Sequence, residues 1–322
     1  MKQYYVENLY GLDDITDFFR VIRSDIKTDS RGKQYLDVLL GDKTGEITAK
    51  KWDVEPVEEE TLRVKVRPGV IVKVRASVGE WMGAAQLKIK RIRPLAESDV
   101  IDMEDFVKAA PEPPQEMFDY ISARAESMTD EDYRKVALYL LDENKEALLY
   151  YPAAKSNHHA IRSGLLWHIK RMLALGEKCC EVYEWLERDL LICGVIIHDI
   201  EKLREMDADE MGLVAEYTFE GQLLGHLVMG VRTIDRLAAE LGIPGEKAVM
   251  LEHMVLSHHY EPEFGSPKKP MFPEAEVLHH LDMIDARLYD FEDTLKSIQP
   301  GSFSDWVRAL DGRRVYKPEY KE

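Results

Sequence analysis

Hydrophobic and polar positions follow two different rhythms along this 322-residue chain. Over residues 1–95 apolar side chains recur at every second position. Leu36-Asp37-Val38-Leu39-Leu40 runs into a turn between Gly41 and Gly45, and Glu46-Ile47-Thr48-Ala49-Lys50-Lys51-Trp52 leads away from it. That is the pattern of a hairpin of half-buried strands. Val70-Ile71-Val72-Lys73-Val74-Arg75-Ala76, after Pro68-Gly69, and Gln86-Leu87-Lys88-Ile89-Lys90-Arg91-Ile92 alternate in the same way. About five short strands with no long helical pattern predict a small closed sheet of the OB type, with an SH3-like barrel as the alternative.

From Met117 onward the period lengthens to that of helices. Apolar positions predict helices over residues 133–150, 161–179, 182–199, 221–241, 246–258 and 274–295. Between the two rhythms, residues 96–117 contain Pro111, Pro113 and Pro114 among acidic and small residues, as a linker does. The expected fold class is a multi-domain α+β chain: a small N-terminal OB-like β-barrel at 1–95, a linker at 96–117 and an all-α domain at 118–322.

The net charge of -17 argues at first against a nucleic-acid partner. It is unevenly spread. Residues 1–95 carry 18 Lys and Arg against 15 Asp and Glu, which leaves 25 against 45 for the remainder. A barrel of this kind grips single strands when cations follow the backbone and aromatic faces stack on bases. Tyr35, Trp52 and Trp81 are the available aromatics, with Lys50 and Lys88 the foremost of the nearby cations. The plainer alternative makes Trp52 a core plug and the lysines guards on strand edges. Cys179, Cys180 and Cys193 form neither a disulfide framework nor a CxxC knuckle, so reduced thiols are expected. The apolar runs are too short to span a bilayer and the start, MKQYYVENLY, has no apolar signal core, so the expectation is a cytoplasmic protein with no membrane partner.

His198-Asp199 closes the apolar run Leu190-Leu191-Ile192-Cys193-Gly194-Val195-Ile196-Ile197. Burying an imidazole and a carboxylate side by side is costly unless something pairs with them, and a divalent cation does so well. His168, His226, His258 and Asp282 are the candidate partners, with His259 beside His258 and Asp285 one turn past Asp282. A nitrogen and oxygen donor set suits manganese, iron, cobalt, nickel or zinc better than calcium or magnesium. Lys202, one turn past Asp199, is placed to neutralise charge growing on a phosphoryl group. Lys268 and Lys269, in a loop after His259, are candidates to meet a substrate phosphate. His158, His159 and Arg162 are candidates to line a substrate channel, and His253, His279 and His280 read as packing or support residues.

The order H, HD, H, HH, D across successive helices resembles the HD-domain metal-dependent phosphohydrolases. Together with Asp42-Lys43-Thr44-Gly45-Glu46-Ile47-Thr48-Ala49-Lys50-Lys51-Trp52, it resembles more closely the YhaM-type 3′→5′ exoribonucleases. Further matches are the stretch from His158 to His168, Tyr217-Thr218-Phe219-Glu220-Gly221-Gln222-Leu223-Leu224-Gly225-His226, Leu256-Ser257-His258-His259 and Leu281-Asp282-Met283-Ile284-Asp285-Ala286. The resemblance implies an HD-type helical domain behind an OB-like barrel. His168, His198, Asp199 and Asp282 would be primary ligands, and Asp199 would bridge to a second ion held by His226 and His258. Only one of His258 and His259 need point inward. Asp199 and Lys202 would be catalytic.

The activity so implied is hydrolysis of single-stranded RNA from its 3′ end to nucleoside monophosphates by metal-activated water. Two divalent ions are expected, manganese first among them, and action on single-stranded DNA as well is an expectation from stacking and phosphate contacts, which tolerate either sugar. A phosphohydrolase of small nucleotides or cyclic dinucleotides and a non-catalytic single-strand-binding protein remain open, as does a homo-oligomer. One departure stands out: HD proteins often continue His-Asp-x-Gly-Lys, and here Glu201 replaces the glycine, which adds a charge and removes backbone freedom beside the site.

Overall fold

The computed structural model describes residues 2–81, 83–155 and 159–320. Its chain divides into two compact units, Met1–Ala109 and Ala110–Glu322. The first unit is built from β1 (Asp14–Thr28), β2 (Gln34–Asp42), β3 (Gly45–Lys51), α1 (Pro56–Lys65), β4 (Ile71–Trp81) and β5 (Ala84–Pro94). The strands close in the order β1-β2-β3-β5-β4. The β3–β5 seam is parallel, pairing Thr48 with Gln86 and Lys50 with Lys88, while the other seams are antiparallel. This is the OB arrangement, and it disposes of the SH3-like alternative.

Closure depends on β1 serving two neighbours. Its first half pairs with β4 and its second with β2, and the register slips between Val21 and Arg23, a bulge that bends the strand round the corner. Period-two alternation sends Phe19, Val21, Val38, Leu40, Val74 and Leu87 into the barrel, each fully or almost fully buried. The core also takes Leu62 of α1 and Val66 just beyond it. α1 was not expected from the sequence. Its other large apolar residues, Val57 and Val64, are exposed, so no apolar stripe at helical spacing marks it.

The stretch expected as a linker, 96–117, is not a bare tether. Tyr5 donates its hydroxyl to Asp105 at 2.5 Å and Phe106 is fully buried, so its first part belongs to the barrel unit. Its last part opens the second unit, where α2 (Pro114–Glu126) starts on Pro114, a residue whose missing N–H costs nothing in a first turn.

The second unit continues with α3 (Glu131–Glu143), α4 (Lys145–Leu148), α5 (Gly164–Val182), α6 (Arg188–Ile197) and α7 (Lys202–Glu205). A hairpin of β6 (Met206–Ala208) and β7 (Val214–Tyr217) follows, then α8 (Phe219–Leu241), α9 (Gly245–Ser257) and α10 (Pro273–Lys296). α6 is the axis of this unit: every residue from Asp189 to Ile197 is buried, and α3, α5, α9 and α10 pack against it. A helix apolar all round is one surrounded by others.

Two details differ from the sequence reading. The helix expected over 182–199 begins only at Arg188, because α5 runs on to Val182 and the apolar residues that follow, Tyr183 and Trp185, face solvent. The domain expected to be all helical carries the β6–β7 hairpin, whose strands are too short to show a period of two. Among the described residues, no helix is long and apolar enough to cross a membrane.

Candidate metal centre

α6 delivers His198 and Asp199 at its buried C-terminal end, where His198 is the cap residue. The His198 Nδ1–H donates to Val195 O at 2.8 Å; a carbonyl can only accept, so Nε2 is left facing forward. The same device recurs. His258 Nδ1 donates to Val255 O and His259 Nδ1 to Phe264 O, both at 2.8 Å. His226 Nδ1 lies 3.0 Å from Glu205 Oε1, and His168 Nδ1 lies 2.8 Å from Asp285 Oδ2. Five imidazoles are thus fixed at Nδ1 and present Nε2 as a donor atom, the way metal-binding histidines are oriented.

Those atoms fall into two groups that share Asp199. On one side His168 Nε2 is 3.4 Å from His198 Nε2 and 3.4 Å from Asp282 Oδ1, and Asp199 Oδ2 is 3.4 Å from His198 Nε2. On the other, Asp199 Oδ1 is 3.5 Å from His226 Nε2 and 3.6 Å from His258 Nε2. Asp199 Oδ1, His226 Nε2 and His258 Nε2 are all buried and have no hydrogen-bond partner among the described residues. Orphaned polar atoms cost free energy, and three that converge on one point ask for a cation. His259 belongs to the same group as His226, His258 and Asp199, whose ligand atoms lie within 4.8 Å of one another, as do those of His168, His198 and Asp282. The residues therefore fit divalent metal.

Electrostatics agree. Burial alone would raise Asp199, but Lys202 and His198 override it and hold the carboxyl well below its ordinary range. Burial, with His259 beside it, pushes His258 down to about 3, so it is a neutral ligand at neutral pH. His198 differs: burial would lower it, yet the Asp199 carboxylate and then Asp282 raise it above its ordinary value. The space between His198 and those carboxylates favours positive charge.

Backbone geometry brings the donors inward. Inside α8, Gly225 has φ 69° and ψ 160°, a conformation open essentially to glycine alone, and it kinks the helix. Beyond the kink His226 turns its backbone N–H and its ring onto Glu205. At the start of α5, a Cβ on Gly164 would stand 2.1 Å from His159 O, so only glycine lets the preceding loop approach. That approach puts His159 Nε2 2.7 Å from Asp285 Oδ2, while Arg171 Nε reaches Asp285 Oδ1 at 2.7 Å. Burial would raise Asp285; the bonds from His159 and His168 override it and hold it far below the carboxylate range.

His159, expected along a channel, is fully buried behind His168 because Asp285 draws it inward. His158 lies outside the described residues. Arg162 donates to Glu210 O at 3.3 Å. His279 donates to His258 O at 2.7 Å and His253 accepts from Met271 N, both supporting roles, whereas His280 pairs on the surface with Glu276.

A cleft of about 430 Å³ opens on the cluster, lined by Lys202, His226, His258, His259 and Asp282 and, farther along, by Phe264, Arg287 and Asp290. Lys202 donates to Asp199 Oδ2 at 2.6 Å. Lys268 and Lys269 are not brought to this cleft. Both are exposed after α9, and Lys269 is engaged by Glu261 at 3.4 Å and by the Tyr260 ring.

The HD domain family model matches residues 165–287, the stretch that supplies every donor described above. A 3′-5′ exoribonuclease YhaM of Geobacillus sp. (strain WCH70) is 41% identical over 96% of this chain and 94% of that protein. The chain belongs to the YhaM exoribonuclease family. The YhaM of Bacillus subtilis (strain 168) is 37% identical over 97% of this chain and 98% of its own length. A solved structure of the mitochondrial single-stranded DNA binding protein Rim1 of S. cerevisiae shares 16% identity over 26% of this chain and 94% of that chain, with a TM-score of 0.23. As a YhaM-family protein with an HD domain, the chain is a hydrolase.

In this YhaM-family chain Glu201, the departure from the usual glycine, is accommodated without strain. Its φ of -74° and ψ of -4° need no glycine. Its carboxylate turns away from the cluster, accepting from Thr233 Oγ1 at 2.8 Å and from Arg204 at 3.1 Å.

The barrel residues named from the sequence fall in two places. Tyr35 and Trp52 stack with centroids 4.7 Å apart, and Lys50 stands 5.5 Å from the one ring and 5.6 Å from the other. Lys88 neighbours Lys50 across the parallel seam. Trp52 is 41% exposed, so it is no core plug. Trp81, 65% exposed, sits apart at the end of β4, opposite Ala84.

Proposed function

We propose that this hydrolase is a metal-dependent 3′→5′ exonuclease that shortens single-stranded RNA to nucleoside monophosphates and also accepts single-stranded DNA. The observation that carries the reading is that the two oxygens of Asp199 face two separate groups of histidine nitrogens. One carboxylate shared in this way would frame a two-ion site, in which His168, His198, Asp199 and Asp282 would hold one ion and Asp199, His226 and His258 the other. His259 stands beside the second group.

Divalent ions bound there, manganese first, would supply Lewis acidity to phosphoryl oxygens and acidify water, as two-metal phosphodiesterases require. The chain's own residues do the rest. Lys202 carries the positive charge placed to meet a phosphodiester in the cleft; burial would lower its pKa, but Asp199 keeps it raised and the ammonium protonated. On the barrel, the Tyr35–Trp52 pair and the Lys50–Lys88 edge supply stacking faces and cations for a strand. Stacking does not read the sugar, which supports action on both nucleic acids.

The test is a 5′-labelled 20-mer RNA incubated with the protein and manganese, beside a panel of nucleotides and cyclic dinucleotides. A ladder shortening from the 3′ end with release of monophosphates is expected. Turnover of a small nucleotide with an intact 20-mer, or tight strand binding with no cleavage, would overturn the reading.

A further inference from the structure

Three side chains on one face of α10 border the cleft at intervals of one turn: Asp282, Ala286 and Asp290. The acidic groups near the histidines are committed, Asp282 toward His168 at 3.4 Å and Glu205 to His226 at 3.0 Å. Asp290 is not. It lines the far part of the cleft, partly buried, and its carboxylate has no hydrogen-bond or ion-pair partner among the described residues. Arg287, the nearest cation on the same helix, has both terminal nitrogens engaged elsewhere, at 3.1 Å by Ala309 O and at 3.0 Å by Asp311. Ala309 itself borders the cleft, so the segment that fastens Arg287 also lines this end.

Asp282 and Asp290 stand two turns apart, about 12 Å along the helix. A nucleotide whose phosphate sat at the histidine cluster would extend its sugar along this face, past the small Ala286 and toward Asp290. A terminal ribose presents two adjacent hydroxyls, and an unspent carboxylate is the acceptor that such hydroxyls find in dinucleotide-binding folds. Chain-internal nucleotides have no free 3′ hydroxyl to offer.

Resting on the exonuclease reading above, we infer that Asp290 recognises the 2′- and 3′-hydroxyls of the terminal ribose and so reads the free 3′ end. Burial pushes the Asp290 carboxyl up to about 6, a group short of hydration that gains from hydroxyl donors and opposes a second negative charge. A 3′-phosphate is therefore rejected.

The experiment measures the first cleavage of 5′-labelled RNA 20-mers ending in a 3′-hydroxyl, a 3′-phosphate or a 2′-deoxy nucleotide, with manganese, in single turnover. The wild type is expected to cut the 3′-hydroxyl end at least about tenfold faster than the 3′-phosphate end, and to slow several-fold on the 2′-deoxy end. Asp290→Asn keeps an acceptor and removes the charge, so it should narrow the phosphate discrimination to within about threefold; Asp290→Ala should narrow both differences. Discrimination unchanged in both folded variants, or absent from the wild type, overturns the assignment. Absence of any ladder from a 3′-hydroxyl end in the wild type overturns the exonuclease reading instead.

Discussion

The two units place their candidate functional residues under opposite physical conditions. In the helical unit His198, Asp199 and His258 are buried to within 2%, and each imidazole is clamped behind by a carbonyl or carboxylate. On the barrel Trp52 and Trp81 lie open to solvent, and Trp52 is steadied chiefly by its neighbours Tyr35 and Lys50. A buried site concentrates function in a few irreplaceable atoms, because an unpaired charge or donor there has no water to turn to. An exposed stacking face spreads function over several weak contacts. Substitutions should therefore act sharply in one unit and gradually in the other.

The largest effect is expected from Asp199→Asn, which keeps the packing but removes the charge common to both donor groups. RNA hydrolysis should fall at least about a thousandfold with the fold intact by circular dichroism. Near-wild-type turnover would dissolve the contrast between the units.

Next comes Asp285→Asn, which touches no substrate but loosens the grip of His159, Arg171 and His168 on one carboxylate. Manganese affinity by titration calorimetry should weaken about 10- to 100-fold. An unchanged affinity would make that network a matter of stability alone.

A smaller effect is expected from pH. His198, raised above its ordinary value by Asp199 and Asp282, binds a proton more readily than a free imidazole, and manganese would compete with that proton. Lowering the pH raises the proton's occupancy, so affinity should fall on acidification, by at most about tenfold per pH unit for one displaced proton. His258, held down to about 3, adds no competition in the neutral range. Calorimetry in buffers of different ionisation enthalpy reads the released proton; an affinity flat between pH 8 and pH 6 would remove His198 from the set.

The smallest effect belongs to the barrel. Trp52→Ala should weaken capture of a long strand about fivefold, at the low end for a single stacked base, while leaving hydrolysis of a dinucleotide unchanged. Equal losses on both substrates would show that the stacked pair is not a separate strand-holding face.

Much of the helical site was legible because its residue types carry the chemistry and lie within recognisable helices. His168, His198, Asp199, His226, His258 and Asp282 were named from the sequence, and the structure brings them together. The carboxylates that support them were not legible. Asp285 meets His168 across 117 residues of chain, and Glu205 meets His226 only because Gly225 breaks a helix that the apolar pattern shows as continuous. The inward turn of His159 is not legible either, because it rests on a positive φ of 54° and on the distant Asp285 carboxylate. Lys268 and Lys269 lie near His259 in sequence, but their loop leaves them in solvent. In the barrel the strands were legible from their alternation. The exposure of Trp52 was not, because a tryptophan at a strand end fits a core or a binding face equally well.

The most direct test is anomalous diffraction from crystals of this protein grown with manganese. Two peaks about 3.5 to 4 Å apart, one on either side of the Asp199 carboxylate, are expected. A single ion that leaves His226 and His258 without metal, or manganese bound elsewhere with Asp199 free of it, would contradict the shared two-ion site.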